Sequence, residues 1–209
     1  MADDRWRHGG LHVPFMKAHL FRDAMKGMPV FLAAAVAAAA AADSLPPVEA
    51  GSAACSCIDW WQTKLLRVGH PNTLDRRDRT TARFELSPYL LAGRVAKAEL
   101  CLTLNSYGIK DRDEFVVQRL VRNREAIRSV DTLSEDAEEI ARFAIRAGER
   151  NPTRCRLDVT AAVNGLLASG HVQLVVRVCD ETAERRGNPE HVPHGAEIAN
   201  GGFTLEVKP

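Results

Sequence analysis

The stretch RVAKAELCLTLN, residues 94 to 105, alternates apolar and polar side chains over most of its length. The apolar members recur at every second position: Ala96, Ala98, Leu100, Leu102 and Leu104. Successive side chains on a β-strand point to opposite faces, so this period of two predicts a strand with one buried face. The fold is therefore expected to contain a sheet that is half buried.

The same period recurs on both sides of this stretch. Further strands are predicted at Leu65–Val68, Thr81–Leu86, Phe115–Val121, Val172–Val178 and Phe203–Val207. Gly69 and the pair Ser87-Pro88 end the first two of these, and a charge-rich turn at residues 110 to 114 precedes the third. Many short strands favour a sandwich over a doubly wound α/β fold. We therefore predict an all-β, jelly-roll β-sandwich with one or two short helices in crossover loops.

Two segments depart from the period of two and predict helices. Ser134–Arg146 carries apolar residues at helical spacing, with Thr132 or Ser134 as the N-cap and Gly148 beyond its end. The apolar positions of that segment are Ala137, Ile140, Ala141 and Ala144. The sequence thus predicts a surface helix there.

The second helix is predicted at Ala161–Ala168, with Gly170 as its C-terminal stop. Asp158 or Thr160 can cap its start, because a carboxylate or hydroxyl oxygen there accepts a hydrogen bond from a backbone N–H that lacks a helical partner. No histidine or second acid lies close to them in the sequence. A structural cap is therefore favoured over a catalytic role.

An alanine-rich apolar run from Met28 to Ala42 precedes the predicted strands. Basic residues lie before the run, and Val48 and Ala50 are small residues suited to cleavage after Ala50. The run is shorter than the roughly 20 residues that a membrane span requires. We predict a secretory signal region at residues 1–50 and a single β-sandwich domain at residues 51–209.

Two features of this N-terminal region leave alternatives open. The mixed-charge residues before Met16 are unusual in a signal sequence, so translation is also consistent with a start at Met16 or Met25. Cys55 follows three small residues and is the candidate for lipidation if the protein is a lipoprotein.

The global charge and the cysteines limit the classes of function. The formal net charge is +1, and basic and acidic residues are interspersed, which argues against nucleic acid as a partner. Of the five cysteines, only Cys55 and Cys57 lie close together, which gives little support for a zinc site. We predict no cofactor. Cys101 and Cys179 fall on the polar faces of their strands, and we predict a disulfide between them.

Three short motifs resemble a known family. They are Leu66-Arg67-Val68-Gly69, Phe84-Glu85-Leu86-Ser87 with the alternating strand at residues 98 to 104, and Asp158-Val159-Thr160 before a short helix and a strand. Their order is similar to that of the DNRLRE domain, also called the disaggregatase-related repeat, a jelly-roll family of secreted bacterial and archaeal proteins. The resemblance covers roughly residues 65 to 207 and implies a carbohydrate-binding or surface-adhesion module.

The pair Trp60-Trp61 is the candidate for ligand binding. Adjacent residues of a strand point to opposite faces, so one indole can enter the core while the other stacks on a sugar ring or a partner. The alternative is that both rings pack as an aromatic strand edge.

One group of metal-type ligands stands apart from these features. Glu190, His191, His194 and Glu197 lie close together, but Pro193 interrupts them, and they lack the helical spacing of a zinc protease. A solvated loop is therefore favoured over the site of a secreted hydrolase.

These observations predict a protein that is not an enzyme and is secreted, periplasmic or on the cell surface. Its partner is expected to be a polysaccharide or a cell-surface protein, with no nucleic acid and no stable membrane span. The alternative is a structural or protein-binding domain of the cell envelope.

Overall fold

Antiparallel strands make up most of the described chain. The structure, a computed structural model, describes residues 41–54, 61–71, 77–121, 127, 136–186 and 192–209. The strands in chain order are β1 (Asp43–Leu45), β2 (Glu49–Ala54), β3 (Trp61–Gln62), β4 (Leu66–His70), β5 (Asp78–Glu85), β6 (Lys97–Tyr107), β7 (Arg112–Leu120), β8 (Ala137–Arg146), β9 (Thr153–Asp158), β10 (Gln173–Asp180) and β11 (His194–Lys208). The helices are a 3-10 helix (Ser87–Ala92), α1 (Thr160–Ala168) and α2 (Glu181–Arg186).

The sheet follows the strand order β8-β7-β10-β5-β4-β11-β6-β9. Outside this path, β1 pairs with β11, and β2 pairs with β5 and β3. The two ends of the path, β8 and β9, also contact each other, so the sheet folds over into a sandwich that nearly closes as a barrel. The predicted all-β, sandwich-like fold with few short helices is confirmed.

Strand β6 has the buried face that its alternation predicts. Ala98, Leu100, Leu102 and Leu104 are each at most 1% exposed, and the residues between them are only partly buried. Their neighbours on β11 are Phe203, Leu205 and Val207, which face the same core. Burial of a leucine side chain contributes roughly 1.5 to 3 kcal/mol, so these paired rows stabilise the centre of the sandwich.

Aromatic rings join the strands across the core. The rings of Phe84 and Phe203 meet edge to face, with centroids 5.6 Å apart. The rings of Phe115 on β7 and Phe143 on β8 stack at 5.0 Å. Such pairs add about 0.5 to 1.5 kcal/mol beyond the area they bury.

The helix predicted at Ser134–Arg146 is wrong, because residues 137 to 146 form β8. Phe143 pairs with Phe115 and Ile145 with Asp113, so β7 satisfies the backbone of this segment. The register shifts between Val117 and Gln118, which pair with Ala141 and Glu139, so Ile140 is the extra residue of a bulge in β8. A bulge adds one unpaired residue and breaks the period of two, so the apolar residues acquired a helix-like spacing.

The second predicted helix is confirmed as α1. Val163, Leu166 and Leu167 are its buried residues and join the main core. Beyond its end, Gly170 has a φ of 74°, the left-handed conformation that glycine adopts without steric cost.

The predicted domain boundary between Ala50 and Gly51 falls inside β2. Asp43–Leu45 pairs with residues 205 to 207 of β11, and Glu49–Ala54 pairs with β5. The hydroxyl of Tyr89 also donates a hydrogen bond to Asp43 at 2.8 Å. Residues 43 to 50 therefore belong to the sheet, and the structure places the start of the domain near Asp43 instead.

The predicted disulfide between Cys101 and Cys179 is not formed, and both residues, like Cys155, are thiols outside any disulfide among the described residues. Cys101 lies between core leucines of β6 and so points outward, beside Arg156 of β9. Cys179 lies between the inward positions of β10 and points outward toward Gln118, with Sγ 3.7 Å from Oε1. In the sheet, β5, β4 and β11 lie between β10 and β6. Cys55 and Cys57 lie outside the described residues.

Two glycines in open space test whether backbone conformation governs stability here. Gly165 lies within α1 at an ordinary φ, whereas Gly201 has a φ of 68°, and an added Cβ would meet nothing within 4 Å at either position. Gly165→Ala is expected to raise the free energy of unfolding by about 0.5 to 1 kcal/mol. Gly201→Ala is expected to lower it by about 1 kcal/mol. Urea denaturation of both variants measures these free energies of unfolding. Equal changes in the two variants would contradict the backbone conformations of Gly165 and Gly201.

Candidate functional site

One end of the sandwich gathers the ends of six strands. Strands β4, β6 and β10 finish there, and β5, β7 and β11 begin there, as the pairings of His70 with His194 and of Gly195 with Tyr107 show. We call this region the polar end and define it by five residues: His70, Asp78, Asp113, Asp180 and His194. Each of the five is the first or last residue of a strand, or lies one residue inside it.

The polar end holds buried charge. Asp78, Asp113 and Asp180 are 1%, 5% and 1% exposed, and they are the buried acidic side chains among the residues described. His70 is fully buried, and His194 is half-buried. Burial of an ionised carboxylate is costly unless it is paired, hydrogen-bonded or bound to a metal. A concentration of such groups at one place is typical of functional sites.

Three of these side chains converge on one point. Asp113, Asp180 and His194 each offer one ligand atom, and these atoms lie within 4.8 Å of one another. The ring of His70 is 4.8 Å from the ring of His194, centroid to centroid, at an angle of 42°. The Nε2 of His70 lies 3.3 Å from the carbonyl oxygen of Ala183. A carbonyl oxygen can only accept, so Nε2 is the donor in this contact.

The two oxygens of Asp180 have different surroundings. Oδ1 accepts a hydrogen bond from the backbone N–H of Ala183 at 2.8 Å. Oδ2 is buried and has no hydrogen-bond partner within the described part of the chain. Burial, followed by the negative charge of Asp113, raises the pKa of Asp180 to about 7. Residue 183 of α2 therefore orients Asp180 through its N–H and His70 through its carbonyl oxygen.

Two glycines allow β4 and β11 to approach each other beneath Asp180. Gly69 and Gly195 face each other in register, with φ values of 101° and 134°. A Cβ on Gly69 would lie 2.9 Å from Oδ2 of Asp180, and one on Gly195 would lie 2.2 Å from the carbonyl oxygen of Val68. A larger residue in place of Gly69 would fill the space next to the carboxylate of Asp180.

The segment predicted to be a solvated loop contributes His194 to this site. Residue 194 begins β11 and lies on the same inward face as Ala196 and Ile198, so the loop prediction is wrong for it. Glu197 lies on the opposite face, where its carboxylate is 3.9 Å from Arg67. His194 and Glu197 therefore do not form the joint hydrolase site considered from the sequence. Glu190 and His191 lie outside the described residues.

Asp158 and Thr160 lie at the start of α1. The backbone N–H of Thr160 donates to Oδ1 of Asp158 at 2.9 Å. The side-chain hydroxyl of Thr160, followed by this backbone N–H, lowers the pKa of the Asp158 carboxyl. The hydroxyl of Thr160 accepts from the N–H of Ala98 at 2.9 Å and so ties the helix to β6. Val159, rather than either candidate, occupies the N-cap position, and it makes no side-chain cap. Both contacts hold structure together.

Trp61 lies beside a second, smaller core. It is half-buried and packs against a cluster formed by Leu120, Ile127 and Val175. A Cβ on Gly51 would lie 2.1 Å from its ring, so the indole covers the backbone of β2. Much of the Trp61 ring therefore serves packing. Trp60 lies outside the described residues.

The residues of the polar end share a pattern that is visible in the sequence. Each continues the inward alternation of its strand by one further step: Val68 to His70, Thr80 to Asp78, Phe115 to Asp113, Val178 to Asp180 and Ala196 to His194. The signal in the sequence is a polar residue at the next inward position of an apolar strand. Sequence analysis did not use this signal, and it considered His194 only as one of a group of metal-type ligands.

Comparison with protein-family models and with curated proteins finds no match to this sequence. Within the described residues, no helix is both long and apolar enough to cross a membrane. Two carboxylates and an imidazole around one point can share a proton or hold a cation.

Proposed function

We propose that the protein is an exported module of the cell envelope or cell surface that binds a ligand and performs no catalysis. The burial of the polar end carries this proposal. Asp113 and Asp180 are at most 5% exposed, so little of either residue is within reach of a substrate. General acid or base catalysis requires a side chain within hydrogen-bond reach of its substrate.

The position of the first strand supports export. The apolar run ends at Ala42, and β1 begins at the next residue, Asp43. Ala40 and Ala42 are small residues at positions three and one before the Ala42–Asp43 bond, as signal peptidase requires. Cleavage after Ala50 would instead remove β1 and divide β2. We therefore place the processing site after Ala42.

Carbohydrate is the ligand that the family resemblance implies, and the sandwich fold is compatible with it. The aromatic side chains of the described residues are buried or half-buried. A stacking platform for a sugar therefore depends on Trp60 or on the accessible part of Trp61. The packing of Trp61 on Leu120 and Val175 favours the alternative, a structural or protein-binding domain of the envelope.

Replacement of the tryptophans separates these two functions. If the module binds glycans, Trp60→Ala should weaken binding at least tenfold and leave the melting temperature nearly unchanged. Trp61→Ala should lower the free energy of unfolding by less than the roughly 3 to 5 kcal/mol of a fully buried aromatic residue. Trp61→Phe is the matched control, since it keeps a ring over Gly51. A glycan array and thermal denaturation supply the measurements. A parent protein that binds no glycan would favour the structural alternative.

The processing site predicts the N-terminus of the exported protein. N-terminal sequencing should begin at Asp43, and Ala42→Leu should block processing because a large residue then precedes the cleaved bond. A chain beginning at Gly51, or one that retains residues 28 to 42 in the membrane fraction, would refute the assignment.

A further inference from the structure

We infer that the polar end is a binding site for one divalent transition-metal cation of the zinc class, with Asp113, Asp180 and His194 as ligands. The ring of His70 lies 4.8 Å from the ring of His194, centroid to centroid. This inference goes beyond the proposed function, because it holds whether or not the module binds a glycan.

The distances fit a shared ion. Zinc binds carboxylate oxygen and imidazole nitrogen at about 2.0 to 2.2 Å in tetrahedral geometry, so two ligand atoms on one ion lie about 3.3 to 3.6 Å apart. The candidate atoms lie within 4.8 Å of one another. Movements of up to about 1.5 Å at the ends of the side chains bring them to the tetrahedral separation.

Oδ2 of Asp180 is the observation that indicates a ligand. It belongs to a side chain that is 1% exposed, and it has no hydrogen-bond partner within the described residues. Buried polar atoms are nearly always paired in native proteins, so such an oxygen requires an explanation. A cation supplies the missing partner.

The charges of the site favour a divalent ion. Asp113 and Asp180 are both buried, and their ligand atoms lie within 4.8 Å of each other, so two negative charges there would repel each other. A divalent cation between them converts that repulsion into attraction and neutralises two carboxylates at once.

The surrounding backbone holds the ligands as metal sites require. Ala183 donates its N–H to Oδ1 of Asp180 and accepts from Nε2 of His70 through its carbonyl. The first contact engages Oδ1 of Asp180 and not Oδ2, and the second holds the Nε2 edge of His70. Hydrogen bonds of this kind, made to the side chains around a metal, fix the orientation of its ligands.

The ligand types distinguish between classes of metal. Calcium takes six to eight oxygen ligands, and magnesium keeps several waters and binds through carboxylates. An imidazole nitrogen together with carboxylate oxygens suits zinc and its neighbours in the transition series. We therefore expect selectivity for Zn²⁺ over Ca²⁺ and Mg²⁺.

Calorimetric titration of the full-length protein, purified without a histidine tag and stripped with EDTA, tests the site. Zn²⁺ should bind at one equivalent to the parent and raise its melting temperature, as any ligand of the native state does. His194→Gln and Asp180→Asn should each weaken Zn²⁺ binding at least about 100-fold. Replacement of a residue that only hydrogen-bonds to a metal ligand already lowers metal affinity by about 10-fold to 100-fold. Glu197→Gln, on the opposite face of the same strand, should bind as the parent does.

Circular dichroism of the metal-free variants shows whether each one is folded. If Asp180→Asn fails to fold, His194→Gln decides alone, because residue 194 is only half-buried. Zinc binding that is absent from the folded parent, or that survives unchanged in folded His194→Gln, overturns the proposal. Tighter binding of Ca²⁺ than of Zn²⁺ overturns the metal class.

Discussion

The pairing of β11 along both of its edges is the constraint on which the rest of the structure depends. One edge pairs with β6, and the other pairs with β4 near its start and with β1 near its end. The register shifts between Ile198 and Phe203, so the inward positions change from even to odd numbers along the strand. This irregularity keeps one face of a 15-residue strand directed at the core. Without this irregularity, the apolar side chains on one half of β11 would face solvent.

The same strand connects the core to the polar end. Ala196 and Ile198 are buried among apolar neighbours, and one further inward step along the strand is occupied by His194. Around it, β4 and β10 end at a buried histidine or aspartate, and β5 and β7 carry a buried aspartate at or next to their first residue. A domain gains no stability from buried like charges, so a concentration of them at one end indicates a function.

The sequence predicts the parts of the fold in which local and tertiary preferences agree. Strand β6 and helix α1 have an apolar period that matches their final environment, and both were predicted at nearly their observed positions. Strand β8 was predicted as a helix because a bulge at Ile140 conceals its alternation. Strand β2 was missed because its sequence, EAGSAA, is small and lacks an apolar alternation. Alternation predicted correctly that Cys101 and Cys179 point outward, but it gave no distance between them.

The site was harder to predict than the fold, since its residues lie far apart in the chain and meet only through strand pairing. Of the five residues of the polar end, only His194 was considered from the sequence. It was grouped there with Glu197, which alternation places on the other face.

The most direct measurement of the central claim is anomalous diffraction at the zinc edge from crystals of the protein grown with Zn²⁺. We predict one strong peak at the polar end, about 2.0 to 2.2 Å from Oδ2 of Asp180 and from a ring nitrogen of His194. A direct hydrogen bond between the carboxyl groups of Asp113 and Asp180, with no anomalous peak between them, would contradict the account.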